Sequence, residues 1–214
     1  MTAGVQRYSL IIAGALFVAL LLPSVQHALT ASMTAQMLVQ IPLLIAVGWL
    51  VRDALPQRLK TAINAWNHNG ITGLLLAVCA TVFWMLPRSL DAAANEPLMI
   101  ASKLVSVPLL IGLPLGLSWP RMGFVVRGLF ISELIAMFFR IGWVYLVSQV
   151  RLCSNYLLGD QQRTGEYMLM IGGAILLWVV VKLLCGHFVS LPDDRPITPS
   201  RRYDPHQLGH HEQH

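Results

Sequence analysis

Six long apolar runs, separated by short polar segments, dominate the chain. Each run is long enough to cross about 30 Å of hydrocarbon as a helix that rises about 1.5 Å per residue. The pattern predicts an all-α fold, a polytopic transmembrane helical bundle over residues 1–190. Its six expected spans are residues 8–25, 35–51, 70–86, 98–119, 123–150 and 167–188.

The first run follows Arg7 and resembles a secretory signal peptide. No convincing small-residue cleavage site comes after it, since Ala28-Leu29-Thr30-Ala31 fits that role weakly. We therefore expect the first run to be retained as a span.

The segment between the second and third runs, residues 52–69, has a pattern of its own. Leu55, Leu59, Ile63 and Trp66 recur at helical spacing, with basic residues on the opposite side. Two structures fit this pattern. The segment is either an interfacial helix that lies on the inner leaflet or an extension of the second span into the cytoplasm.

The basic residues between the runs are distributed unevenly. If the N-terminus is cytoplasmic, nine Lys and Arg residues fall inside and three outside, which is the bias that orients membrane proteins. We therefore expect both termini in the cytoplasm. The inside set is Arg7, Arg52, Arg58, Lys60, Arg121, Arg127, Arg195, Arg201 and Arg202, and the outside set is Arg88, Arg151 and Arg163.

Composition supports a lipid environment and argues against nucleic acid. Hydrophobic residues make up 56% of the chain and charged residues 12%, about half the usual charged share of a soluble domain. The net charge of +5 does not indicate a nucleic-acid site, because the basic residues are scattered between apolar runs instead of forming one basic face. The lipid bilayer is the expected partner.

Residues 191–214 are rich in proline and charge and should form a disordered cytoplasmic tail. Four histidines lie within its last nine residues, a composition that can bind copper, zinc or nickel without a fold. The tract is either a metal-binding element or a native tail without that role. Its histidines are His206, His210, His211 and His214.

Five charged residues fall inside the predicted spans, and two of them, Arg127 and Lys182, lie towards the inner ends of theirs. Glu133 and Arg140 are seven residues apart on the fifth span, so both point to one side of the helix, about 10 Å apart along it. An unpaired charge at that depth costs several kcal/mol, so both should face protein or water. Lys103 on the fourth span is a candidate partner for Glu133 or neighbour of Arg140. The group is either an ion pair that fixes helix register or a ligand or proton site.

Soft metal ligands lie at the outer start of the second span. Met33 and Met37 are one helical turn apart and His27 is close in sequence. Thioethers suit cuprous copper, although methionines in an apolar helix also serve as core filler. A transmembrane haem is not expected, because its two axial histidines should face each other inside the bundle, whereas His27, His68 and His187 lie at span ends.

One stretch resembles a known family. Trp84-Met85-Leu86-Pro87-Arg88-Ser89-Leu90-Asp91-Ala92-Ala93, at the end of the third span, resembles the tryptophan, proline and Asp-Ala-Ala pattern of the CtaG family, membrane proteins associated with cytochrome c oxidase assembly. Residues 33–48 and the end of the fourth span are similar to matching segments of that family. The family's histidines are absent here, so the resemblance implies that methionines handle any metal at the outer face, which favours cuprous copper.

No catalytic motif is present, so the chain is not expected to be an enzyme. The leading expectation is a nonenzymatic accessory protein for a membrane oxidoreductase of a respiratory complex, in biogenesis of or copper delivery to a haem-copper oxidase of the bacterial inner (plasma) membrane. One alternative is a structural subunit that packs against a larger membrane complex. Another is a small transporter or channel that uses Glu133, Arg140 and Lys103.

Overall fold

Long apolar segments must satisfy their backbone hydrogen bonds internally in a bilayer, which favours helices over the apolar runs. The structure, a computed structural model, describes residues 3–67, 70–151 and 156–185. In those residues every regular element is a helix, which confirms the all-α prediction. The expected tail, 191–214, with its four histidines, lies outside the described residues, as do His68 and His187.

Nine helices cover most of the described residues. Among the described residues, those up to Trp178 form one compact unit, and residues 179–185 belong to a second. The helices are α1 (Ala3–Leu21), α2 (Pro23–Thr30), α3 (Met33–Ala54), α4 (Gln57–Trp66), α5 (Ile71–Met85), α6 (Pro87–Asn95), α7 (Pro97–Arg121), α8 (Phe124–Val147) and α9 (Leu158–Leu184).

Three of these helices, α3, α7 and α9, are long and apolar enough to cross a membrane. A fourth span is obtained if α1 and α2 together count as one. That set is smaller than the six predicted spans. The structure therefore supports three to four candidate spans among the described residues, and the count of six stays a prediction.

The largest departure from the predicted spans is in the first run. A continuous helix was expected over residues 8–25, but α1 ends at Leu21 and α2 leaves it at an angle of 72°. Proline explains the break, because Pro23 lacks an N–H and keeps the preceding residue extended, as Leu22 is at φ −61° and ψ 129°. α5 is shorter than a typical span, since its 15 residues cover only about 22 Å.

Two helices with prolines cross closely in the centre of the bundle. α3 and α7 meet at Gly48 and Gly112, and a Cβ at Gly48 would come within 2.1 Å of the Pro108 carbonyl oxygen. α3 contains a π-helical stretch at Gln36–Gln40 and α7 another at Val107–Gly112. Each of the two helices therefore contains a π turn next to prolines that cannot supply a backbone donor.

The segment between α3 and α5 forms a helix of its own. α3 ends at Ala54, Leu55 is extended, and α4 begins at Gln57. The segment is thus not an extension of the second span. On α4 the apolar side chains of Leu59 and Trp66 are exposed, as expected of a helix whose apolar face meets lipid.

Candidate functional site

A buried lysine lies at the centre of the most unusual polar feature of the structure. Lys103 on α7 is 0% exposed, and its Nζ donates to Oε1 of Gln40 on α3 at 2.8 Å. In the part of the chain that the structure describes, no carboxylate forms an ion pair with this ammonium. A buried charge held only by neutral dipoles is costly and is a functional-site candidate.

Gln40 connects Lys103 through further hydrogen bonds to the bend between α1 and α2. Its Nε2 donates to Gln26 Oε1 at 2.9 Å, and Gln26 Nε2 donates to the Leu20 carbonyl at 2.5 Å. Carbonyls in the last turn of a helix have no intrahelical donor, so the amide of Gln26 satisfies one at the end of α1. Lys103, Gln40 and Gln26 form one chain of hydrogen bonds across three helices, which we call the Lys103 chain.

A second buried glutamine lies one turn from Gln40. Gln36 is 0% exposed, and its Oε1 lies 2.5 Å from the Tyr156 hydroxyl. That hydroxyl is also 3.0 Å from the Thr30 carbonyl, although its one proton can be donated to only one acceptor at a time. Gln36 Nε2 is buried and has no hydrogen-bond partner among the described residues. Exchanging the two amide atoms would move the unpartnered position to the oxygen without removing it.

The π-helical stretch of α3 places these glutamines. Gln36 and Gln40 begin and end it, and Pro42 follows two residues later. A π turn holds about one residue more than an α turn, so residues four or five apart share a face. Both amides therefore point into the bundle, where such turns are often associated with function.

The methionine pair is buried beside this region. Met33 and Met37 are 1% and 2% exposed. Met37 Sδ lies 3.7 Å from the Tyr145 hydroxyl, and the Met33 backbone N–H donates to Asp160 Oδ2 at 2.6 Å. His27, on α2, is exposed. Among the described residues there is no group of three or more His, Cys, Asp and Glu side chains that could hold a metal.

The charged pair of α8 lies on the outside of the chain. Arg140 Nη2 contacts Glu133 Oε1, while Arg140 Nε donates to the Ala136 carbonyl at 3.3 Å. Lys103 was expected beside this pair, but Glu133 pairs with Arg140 and Lys103 with Gln40. Both side chains of the pair are well exposed, at 59% and 64%.

The residues that carry the family resemblance connect helices. Trp84 at the end of α5 is buried, and its Nε1 donates to Ser106 Oγ of α7 at 2.9 Å. Pro87 begins α6 after the extended Leu86, and Asp91 is half-buried on α6. The hydrogen bond between Trp84 and Ser106 joins α5 to α7.

Several residues of the site were not singled out from the sequence. Gln26 and Tyr156 carry hydrogen bonds of the site, and Tyr145 contacts Met37. A signal was available for the glutamines, because Gln36 and Gln40 are one turn apart in an apolar span. Tyr156 lies in a polar connection between two runs and gave no comparable signal.

The site offers a buried cation, amide dipoles, two thioethers and two phenol hydroxyls. Such groups can hold a proton, donate a hydrogen bond to an acceptor, or bind a soft metal ion. Comparisons of the chain with protein-family models, with curated proteins and with solved structures found no match.

Proposed function

We propose that this chain is a nonenzymatic accessory protein of a membrane oxidoreductase, with six spans and both termini in the cytoplasm. The apolar helices and the excess of basic residues on one side support the orientation. α5 would cross a locally thinned bilayer or be extended by flanking residues, as short spans are. α8, with 24 residues, is long enough to cross as well.

The observation that carries this proposal is the exposed Glu133–Arg140 pair. In a helix at membrane depth, ionisable side chains almost always face protein or water. The two charges partly compensate each other, yet without a second protein the pair would face the hydrocarbon of the bilayer. A second membrane protein that covers this face of α8 would remove the pair from lipid, which is the arrangement expected of an accessory or structural subunit.

The class of partner is suggested by the resemblance around Trp84, Pro87 and Asp91. It implies a haem-copper oxidase during biogenesis, with cuprous copper as cargo. Met33 and Met37 are the described soft ligands at the expected outer end of α3. Both are closed off from solvent, so copper transfer would require an opening of this end of the bundle.

Purification in a mild detergent tests the association. The wild-type chain should migrate with a large complex on a native gel, and mass spectrometry should identify oxidase subunits in it. Glu133→Gln/Arg140→Gln should weaken the complex without altering helical circular dichroism. Arg163→Gln/Glu166→Gln is a matched control, because it removes the same charges from exposed positions on α9. A wild-type chain that always migrates alone would refute the proposal.

The buried Lys103 favours a second candidate, a small transporter of protons or other small ions. Its ammonium has an amide partner, Gln40, but no ion-paired carboxylate among the described residues, so its proton is held without a fixed counter-ion. This candidate no longer includes Glu133 and Arg140, which contact each other on the exterior. In proteoliposomes, Lys103→Met should abolish proton flux while Lys60→Met leaves it unchanged. Equal flux with and without wild-type protein would exclude this function.

A further inference from the structure

The buried polar centre around Lys103 contains more hydrogen-bond donors than acceptors. The Lys103 ammonium has three N–H donors, and among the described residues its one acceptor is Gln40 Oε1 at 2.8 Å. Gln36 has its Oε1 on the Tyr156 hydroxyl, and its Nε2, with two N–H donors, has no acceptor there. Lys103 and Gln36 are both 0% exposed, so bulk water does not supply the missing acceptors.

The same centre has a positive charge without a negative one beside it. Among the described residues, the carboxylates in ion pairs are Asp53 and Glu133, and their partners are Arg52 and Arg140. A buried charge is strongly disfavoured unless it is paired or neutralised. One monovalent anion at Lys103 would balance its charge.

Helix geometry brings the unfilled donors to one face of α3. Gln36 and Gln40 begin and end the π-helical stretch, and residues four or five apart in such a turn share a face. Lys103 reaches that face from α7 through its contact with Gln40. Gln40 is itself fixed by the hydrogen bond from its Nε2 to Gln26 Oε1, so it holds the ammonium close to the turn that carries Gln36.

We propose that a small monovalent anion, a halide such as chloride, binds at Lys103 and accepts hydrogen bonds from its ammonium and from the Gln36 amide. A halide accepts N–H groups from several directions, carries the one negative charge that the site needs, and is small enough for a centre closed to solvent. A water molecule also accepts hydrogen bonds, but it carries no charge and brings two more donors. This inference concerns binding and holds whether or not the chain transports ions.

Thermal unfolding of the full chain in detergent tests the site, with sodium chloride replaced by sodium gluconate at constant ionic strength. Gluconate is too large for a centre that is closed to solvent. Each tenfold rise in chloride above its dissociation constant should raise the Tm by about 3–6 °C, because a ligand that binds the folded state stabilises it in proportion to the logarithm of its concentration. Gln36→Leu should reduce this shift, whereas Gln57→Leu, at an exposed position on α4, should retain it.

Equilibrium dialysis against sodium bromide counts the bound halide directly. The wild type should bind about one bromide more than Lys103→Met, the number that balances one ammonium, and Lys60→Met should bind as the wild type does. Gln40→Glu keeps the lysine and places a carboxylate oxygen where the amide oxygen now lies 2.8 Å from Nζ. This variant supplies the counter-ion itself, so it should lose the bound bromide and its Tm should not depend on chloride.

Three results would each overturn the proposal. They are a wild-type Tm that is equal in chloride and gluconate, equal bromide binding by the wild type and Gln40→Glu, and a chloride shift that Gln40→Glu retains. None of these measurements depends on association with a partner or on ion flux, so failure of this inference is distinguishable from failure of the proposed functions.

Discussion

Lys103 on α7 and Gln40 on α3 meet inside the bundle, with 2.8 Å between Nζ and Oε1, and both side chains are 0% exposed. The contact joins the two helices that cross most closely at Gly48 and Gly112. A lysine in this position is retained at a cost in stability, because its ammonium has lost water without gaining an ion-paired carboxylate among the described residues.

Removing one partner of this contact should destabilise the protein. Gln40→Leu leaves the Lys103 ammonium without its amide acceptor, and a lost partner for a buried charged group costs about 3–5 kcal/mol. Lys103→Met/Gln40→Leu replaces both partners by apolar groups, so it should be at least as stable as the wild type. Thermal unfolding in detergent, followed by circular dichroism, measures both variants. A neutral Gln40→Leu would show that Lys103 does not depend on this contact.

The crossing of α3 and α7 should not tolerate a side chain. Gly112→Ala would place a Cβ 2.3 Å from the Ile45 carbonyl oxygen, and overpacking of this kind costs about 1–3 kcal/mol. Gly14→Ala on α1 is the matched control, because its Cβ would meet nothing within 4 Å. It should gain about 0.5–1 kcal/mol from better helix propensity. Equal melting temperatures for the two variants would contradict the close crossing.

Hydrophobic pattern predicts the long central helices well. The expected spans 35–51 and 98–119 correspond to α3 (Met33–Ala54) and α7 (Pro97–Arg121). Long apolar runs have one way to satisfy their backbone in a bilayer, so these helices follow from local sequence, and π turns accommodate the prolines inside them. The expected continuous helix over the first run is interrupted at Leu22, because Pro23 breaks the helix although the surrounding residues are apolar.

The site is less predictable because it depends on how helices meet. Lys103 is visible in the sequence as a charge inside a span, but its partner is set by the crossing of α3 and α7, where Gly48 allows the backbones to approach. The pairing of Glu133 with Arg140 is local and follows from seven-residue spacing on one helix. Contacts within a helix can thus be predicted from spacing, whereas the Lys103 chain required the packed structure.

Copper binding by the buried methionines is tested by metal content. After loading with cuprous copper, the purified chain should retain about one ion, and Met33→Leu/Met37→Leu should lose it because thioether ligands are replaced by apolar groups of similar size. Met170→Leu is the matched control, since that methionine is exposed on α9. The four tail histidines are also replaced in the wild-type chain and in the double methionine variant, to distinguish copper bound by the tail from copper bound by the methionines. These substitutions are His206→Ala, His210→Ala, His211→Ala and His214→Ala. Unchanged copper in the double methionine variant would remove these residues from any metal pathway.

The contact between Trp84 and Ser106 should contribute measurably to the packing of α5 on α7. Ser106→Ala removes the acceptor of the buried indole N–H, so it should destabilise the protein by about 1–3 kcal/mol, whereas Ser132→Ala, at an exposed position on α8, should have little effect. Trp84→Phe removes the indole N–H and also reduces the volume of the side chain. A double-mutant cycle with Ser106→Ala separates the contribution of the hydrogen bond from that of the lost volume. We expect a coupling of about 0.5–1.5 kcal/mol between the two positions. Additive effects in thermal unfolding would mean that Trp84 holds α5 by its apolar surface alone.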